Sequence, residues 1–229
     1  MELLSFGDQG WGDEILRATL ITILVALSAF LIGFIFATIF VFTKLSKKKY
    51  LNIVGDTYTT IFRGVPELLI IYLFFFGGSS AIMFVSKIFG YEGYIEVNAF
   101  LTGAISIGVI SGAYSTEVLR GAILSVDKGQ FEGAKALGMK KYIYFLKIIL
   151  PQVLRLAIPN LSNVWQITLK DTSLISVTGL VELMRQSYIA AGSTRNPLFF
   201  YLFAALVYLL LTTLSLKFFN KLEKRYNYI

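Results

Sequence analysis

The sequence predicts an all-α fold: a polytopic membrane bundle of about five transmembrane helices. Three observations carry that expectation. The composition is 56% hydrophobic with a mean hydropathy of +0.70, above the roughly half-apolar content of soluble domains. The apolar residues fall in runs long enough to cross a bilayer as helices, which need about 20 residues each. Charged residues make up 15% of the chain and cluster between those runs.

The same composition excludes several functions. There is no Cys and no His, so disulfides, thiolate nucleophiles, His-ligated metals and Ser-His triads are ruled out within the chain. The net charge of +7 does not point to nucleic acid, because positive residues hold the inner loops of a membrane protein. No room remains between the runs for a sizeable soluble domain. The segment from Met1 to Glu14 is acidic and has no basic region before the first apolar run. That run is therefore expected to stay as an anchor rather than be cleaved.

Taken in order, the first span is expected from Ala18 to Phe42. Glu2, Asp8, Asp13, Glu14 and Arg17 precede it, and Lys44, Lys47, Lys48 and Lys49 follow. The lysines place that end in the cytoplasm and the N-terminus outside. Leu51 to Phe62 is moderately apolar with Asp56 inside it, and Arg63-Gly64-Val65-Pro66-Glu67 breaks or kinks the chain. A second span begins at Leu68 and continues past Gly77-Gly78 to about Val85, followed by Lys87 and a loop from Gly90 to Asn98. The aromatic run Tyr72, Phe74, Phe75 and Phe76 reads as packing or lipid-facing residues rather than a cation box.

The third span runs from about Ala99 to Glu117. Ala104, Gly108 and Gly112 recur every four residues there, which puts them on one face open to another helix. After Arg120 comes the longest polar interval, from Gly129 to Pro151. Gln130 to Leu137 reads as a short amphipathic helix stopped by Gly138; Lys140 to Leu150 starts another, and Pro151 permits a fresh turn. Gln152 to about Val177 is the weakest apolar segment, with Arg155, Asn160, Asn163, Gln166, Lys170 and Asp171. Such a helix faces the bundle interior or a wet cavity if it spans, or lies partly in the interface. An outer loop with Gly192, Asn196 and Pro197 leads to a last span from Leu198 to Leu216, ended by Lys217, Lys221, Lys224 and Arg225. Five crossings with the C-terminus inside satisfy the positive-inside bias at every step.

Two acids stand out as candidate site residues, because charges in or beside spans are costly unless paired or wet. Glu67 suits a cationic ligand group or pairs with Arg63. Asp171 lines a ligand path, or is held by Lys170 or the Thr172-Ser173 turn. Glu117 lies one turn from Arg120 and is read as an intrahelical pair. Asn163 and Gln166 either bind polar ligand groups or bond between helices.

Glu132, Ala134, Gly138, Ile148, Leu150 and Pro151 match the "EAA" loop pattern of Glu-x-Ala, then Gly, then Ile-x-Leu-Pro. With Phe62-Arg63-Gly64-Val65-Pro66, the run Ala113 to Gly121 and Lys170-Asp171-Thr172-Ser173-Leu174, the chain resembles the permease subunits of polar amino acid ABC importers from about Ala18 onward. Asn163 to Gln166 and Ala190 to Arg195 are similar to the histidine, lysine-arginine-ornithine and octopine/nopaline branch.

The resemblance implies a type I importer permease fold, one transmembrane domain over 1–229 with a core of about 18–219 and a coupling loop at 129–151. It implies location in a bacterial inner membrane and an ATP-driven import of polar, basic amino acids or opine-like derivatives. Gly129, Gln130, Phe131, Glu132, Gly133, Ala134, Leu137 and Gly138 would meet an ABC ATPase dimer, with Ala134 and Gly138 leaving room for close contact. Glu67, Asn163, Gln166 and Asp171 would line the substrate path. Further implied partners are a second permease subunit, a periplasmic substrate-binding protein and membrane lipid, with no nucleic acid. No cofactor is expected in this chain. It has no Walker A sequence, so ATP and Mg would be bound by the ATPase.

The sequence departs from the pattern in places. Gly133 replaces the usual second Ala, at about 1 kcal/mol of helix propensity. Met139-Lys140 replaces the common cap after Gly138. Val164 stands where arginine-binding relatives often carry Glu, which suggests a heterodimer whose second permease supplies the acid. The competing classes are an ATP-independent carrier or channel and an integral membrane enzyme; neither accounts for the interval from Gly129 to Pro151.

Overall fold

The computed structural model describes residues 2–7, 10–91, 93 and 97–227. Asp8 and part of the loop after Gly90 lie outside them. Eight helical elements follow an N-terminal 3₁₀ turn at Glu2–Leu4. They are α1 Gly12–Lys44, α2 Lys49–Gly64, α3 Glu67–Ile88, α4 Ala99–Leu124, α5 Lys128–Ala136, α6 Lys141–Thr178, α7 Leu183–Thr194 and α8 Pro197–Asn227. Of these, α1, α3, α4, α6 and α8 are long and apolar enough to cross a membrane.

The central pair is α1 with α4. Along α1, large side chains and small ones take opposite faces. Leu16, Leu20, Leu24, Leu27, Leu31, Ile35 and Ile39 are exposed, while Ala18, Thr22, Ala29, Gly33 and Ala37 are buried. Lipid solvates leucine well, so close backbone packing, not apolarity, selects the inner face. The small-residue face expected on α4 meets it: a methyl added at Gly112 would lie 3.0 Å from the Gly33 carbonyl oxygen.

Five findings depart from the sequence expectations. First, α1 begins at Gly12, so Asp13, Glu14 and Arg17 are inside the helix. Second, α4 runs past Glu117 to Leu124. Third, the moderately apolar stretch Leu51 to Phe62 is part of a helix, α2, packed on α1 and α4. Tyr58 stacks on Phe40 and donates to the Val109 carbonyl at 2.7 Å. Ile71, one turn into α3, packs with Val25, Ala29 and Ile107. Ala29 is near the middle of α1, and the break at Val65-Pro66 separates α2 from α3, which is by itself long and apolar enough to cross.

Fourth, Pro151 starts a helix as expected, but with no break from the segment before it. It sits near the start of the helix Leu150–Asp171, directly after a π turn at Phe145–Ile149. The widened turn makes room for the ring and its missing N–H, and Gln152 Nε2 donates to the Ile148 carbonyl at 2.9 Å. The segment to Asp171 is one helix that tightens to 3₁₀ at Thr172–Thr178, so α6 is long and apolar enough to cross. Fifth, the stretch before Pro197 is largely the helix α7, packed against α1 and α8, and α8 itself extends to Asn227.

Candidate functional site

The polar interval folds into a short helix held at one end of the bundle, beyond α4. Asp127 caps it by accepting from the Gly129 N–H at 2.6 Å. It ends at Gly138, whose φ of +69° is a conformation that glycine adopts at little cost. The helix has two faces. Phe131 and Ala134 turn inward onto Tyr144, Leu119, Ala122 and Val126, with the Phe131 and Tyr144 rings 6.5 Å apart. Ala134 is only 3% exposed, so the room it was expected to leave for a partner is filled by the chain's own core. Gly129, Gln130, Glu132, Gly133 and Gly138 lie on the outer side, and Leu137 is 81% exposed.

Beside this helix the end of α1 is tied to α2 and α4. Lys44 is ion-paired with Glu117 and, at 2.9 Å, with Asp56, and it donates to Thr59 Oγ1 at 2.8 Å. Arg120 Nε donates to Glu117 at 3.0 Å, so the expected intrahelical pair forms. The sequence reading missed Lys44 as its third member. The pair is separated by 73 residues and only the α1–α4 packing joins it.

A second cluster forms where two helices are interrupted. Glu67 begins α3 after the break, and Asp171 ends the α-helical part of α6. Tyr114 of α4 connects them. Its hydroxyl donates to Glu67 Oε1 at 3.4 Å, and it lies within the electrostatic reach of both acids. The Arg63 guanidinium sits over the Tyr114 ring, 5.4 Å from its centroid. Among the described residues no ion pair joins Arg63 to Glu67, or Lys170 to Asp171. The Thr172 and Ser173 hydroxyls bond back to the Leu169 and Lys170 carbonyls at 2.7 and 2.8 Å, and Asp171 makes no side-chain cap. Neither acid is in an ion pair among the described residues, and Asp171 lies within electrostatic reach of Glu67 and of its neighbour Lys170. Acids at membrane depth are tolerated when they face a wet cavity or another charge.

Asn163 and Gln166 do not join this cluster. At 1.5 Å per residue, Asn163 lies about 12 Å from Asp171 along α6. Asn163 is exposed and Gln166 half-buried. With Asn160 and Lys170, Asn163 forms an outward polar stripe on α6.

Sequence reasoning also missed Glu182. It is fully buried and accepts from the Met184 and Arg185 N–H groups at 2.9 and 2.7 Å, from Tyr208 at 3.2 Å and from Thr22 at 3.4 Å. It caps α7 and fixes it to α1 and α8. The available signal was an acid two residues before Met184, close after Gly179, whose φ of +91° ends the preceding turn.

Residues 29–228 match the family described as binding-protein-dependent transport system inner membrane component. The chain is 50% identical over 225 residues to an octopine transport system permease protein of Rhizobium meliloti, covering 98% of this chain and 95% of the relative. It is 35% identical over 218 residues to a histidine/lysine/arginine/ornithine transport system permease protein of Escherichia coli (strain K12), covering 95% of each. A crystal structure of an amino acid ABC transporter with histidines superposes with a TM-score of 0.80 at 27% identity, covering 94% of this chain and 95% of that one.

Proposed function

Because the chain belongs to the family of binding-protein-dependent transport inner membrane components, we propose that it couples an ABC ATPase to a membrane path for cationic amino acids or opine-like derivatives. It is a permease subunit and carries the transport path, not the ATPase chemistry. The coupling part is α5. A helix pinned to the core by Phe131 and Ala134 transmits a push as a rigid body, whereas a mobile loop would absorb it. Its outer residues Gln130, Glu132, Gly133 and Leu137 form the face that an ATPase surface groove would grip. An exposed leucine beside an acid suits a groove with an apolar floor and basic rim. This two-faced construction is the observation that carries the reading.

In this proposal the end holding Lys44 and α5 is cytoplasmic and the N-terminus periplasmic, in keeping with the lysine distribution. A second permease subunit would cover the polar stripe of α6, and a periplasmic binding protein would deliver the ligand. ATP and Mg would be held by the ATPase. Inside the membrane, Glu67 and Asp171 would receive the positive end of the cargo. Broken helices near the midplane are where transporters place such sites.

The test of the coupling reading is co-purification of the ATPase encoded beside this gene. Glu132→Lys and Leu137→Asp should abolish it while leaving α5's buried face intact. Full retention by both variants would refute the reading.

A further inference from the structure

The Arg63 guanidinium is held in an unusual place. It lies on the Tyr114 ring, at a distance within the ~6 Å typical of cation–π contacts. That ring's hydroxyl is bonded to Glu67, and Asp171 lies within electrostatic reach of both. An aromatic face with two carboxylates within electrostatic reach, neither in an ion pair among the described residues, suits a planar cation. Its one present occupant is the chain's own. Arg63 is not locked there by an ion pair among the described residues, and its side of α2 is exposed. It ends α2, directly before the Val65-Pro66 break, so a change of angle at that break would carry it off the ring.

We infer that Arg63 is a resident stand-in for the cargo: it occupies the Tyr114 face when the path is empty and is displaced by a guanidinium-bearing ligand. The inference rests on the substrate path assigned above to Glu67 and Asp171, and deepens it by naming the ligand group and the residue that competes with it. A guanidinium stacks flat on a ring and offers a forked set of donors to carboxylates, while an ammonium is a compact, strongly hydrated charge. The site therefore selects guanidinium over ammonium. Arg63 sets the threshold for entry, because a ligand must bind better than a group already tethered at the site.

The experiment is equilibrium binding of radiolabelled arginine to the purified, assembled transporter without its binding protein, with lysine and citrulline as competitors. Citrulline has the same shape as arginine and no charge. Arg63→Gln should tighten arginine binding about five-fold, the factor expected when a tethered competitor holds a site about four-fifths of the time. Arg63→Lys should tighten it by a smaller factor, and it serves if the glutamine variant does not assemble. Lysine and citrulline should compete poorly. Unchanged or weaker arginine binding in the Arg63 variants would overturn the stand-in role, as equal competition by lysine would overturn the guanidinium preference. Glu67→Gln and Asp171→Asn test the underlying path separately. Each should weaken arginine binding at least ten-fold, and if neither does, the path itself is wrong whatever Arg63 does.

Discussion

Replacing Lys44 by Met tests how the neighbouring ends of α1, α2 and α4 are joined beside α5. The Lys44 side chain is 9% exposed and is shared between Glu117, Asp56 and Thr59. Its arms are not equal. Asp56 is 63% exposed, and an exposed pair is worth about 0–1 kcal/mol. Glu117 is 19% exposed, and stripping one partner from a buried pair costs about 3–5 kcal/mol. Arg120 still holds Glu117 after the change, so the lower end applies: about 3 kcal/mol for Lys44→Met. Glu117→Gln leaves Lys44 with Asp56 and Thr59 and should cost about 1.5–3 kcal/mol, the scale of one charge-assisted hydrogen bond. At about 2–4 °C per kcal/mol for a chain of this size, Lys44→Met should lower the apparent melting temperature by roughly 6–12 °C in detergent. The double variant should fall short of the sum by about 1–2 kcal/mol, because both single changes remove the same Lys44–Glu117 contact. Thermal melts followed by size-exclusion chromatography read all three. Additivity within about 0.5 kcal/mol would show that the two residues do not act as a pair.

Two further outcomes follow from the packing. Glu182→Ala should lower the melting temperature by several degrees, since it leaves the half-buried Met184 and Arg185 N–H groups without their side-chain acceptor, at about 1 kcal/mol each. Glu182→Gln keeps an acceptor and should recover much of that loss; equal losses would refute the capping role. Gly112→Val should disrupt folding or assembly, because its side chain meets the Gly33 carbonyl and the Tyr58 hydroxyl and overpacking costs about 1–3 kcal/mol or more. Gly121→Val, with open space around it, is the control, and a similar loss there would remove the argument from close packing.

The parts of the fold legible in sequence were those written in local pattern. Hydropathy marked the five crossings, and spacing marked the small face of α4. Spacing also gave the Glu117–Arg120 pair and the two-faced character of α5. The missed parts depend on tertiary contact. The α7 helix is short, mixed in polarity and flanked by Gly179 and Pro197, so it carried the local signals of a loop. Asp56 and Arg63 lowered the hydropathy of α2, whose packing against α1 and α4 depends on distant residues. Pro151 signalled a boundary that a π turn absorbs. Glu67 and Asp171 were both suspected from cost alone; Tyr114, 47 residues from Glu67, lay in the family-like run Ala113 to Gly121, but nothing local tied it to either acid. The direction of Ala134 could not be read from the loop pattern, because either face of α5 would accept a small residue.

The central claim is that the outer face of α5 engages the ATPase. A chain without native cysteine permits a direct measurement: place one at Leu137 and crosslink it to a single cysteine in the ATPase groove of the assembled transporter. Crosslinking at Leu137→Cys should be strong and should change in yield between nucleotide-free and ATP-bound states, while Gly121→Cys, on the far side of the Asp127 cap, should give little. Absence of crosslinking in every nucleotide state, with the Leu137→Cys thiol reactive only to reagents added outside the cell, would contradict the account.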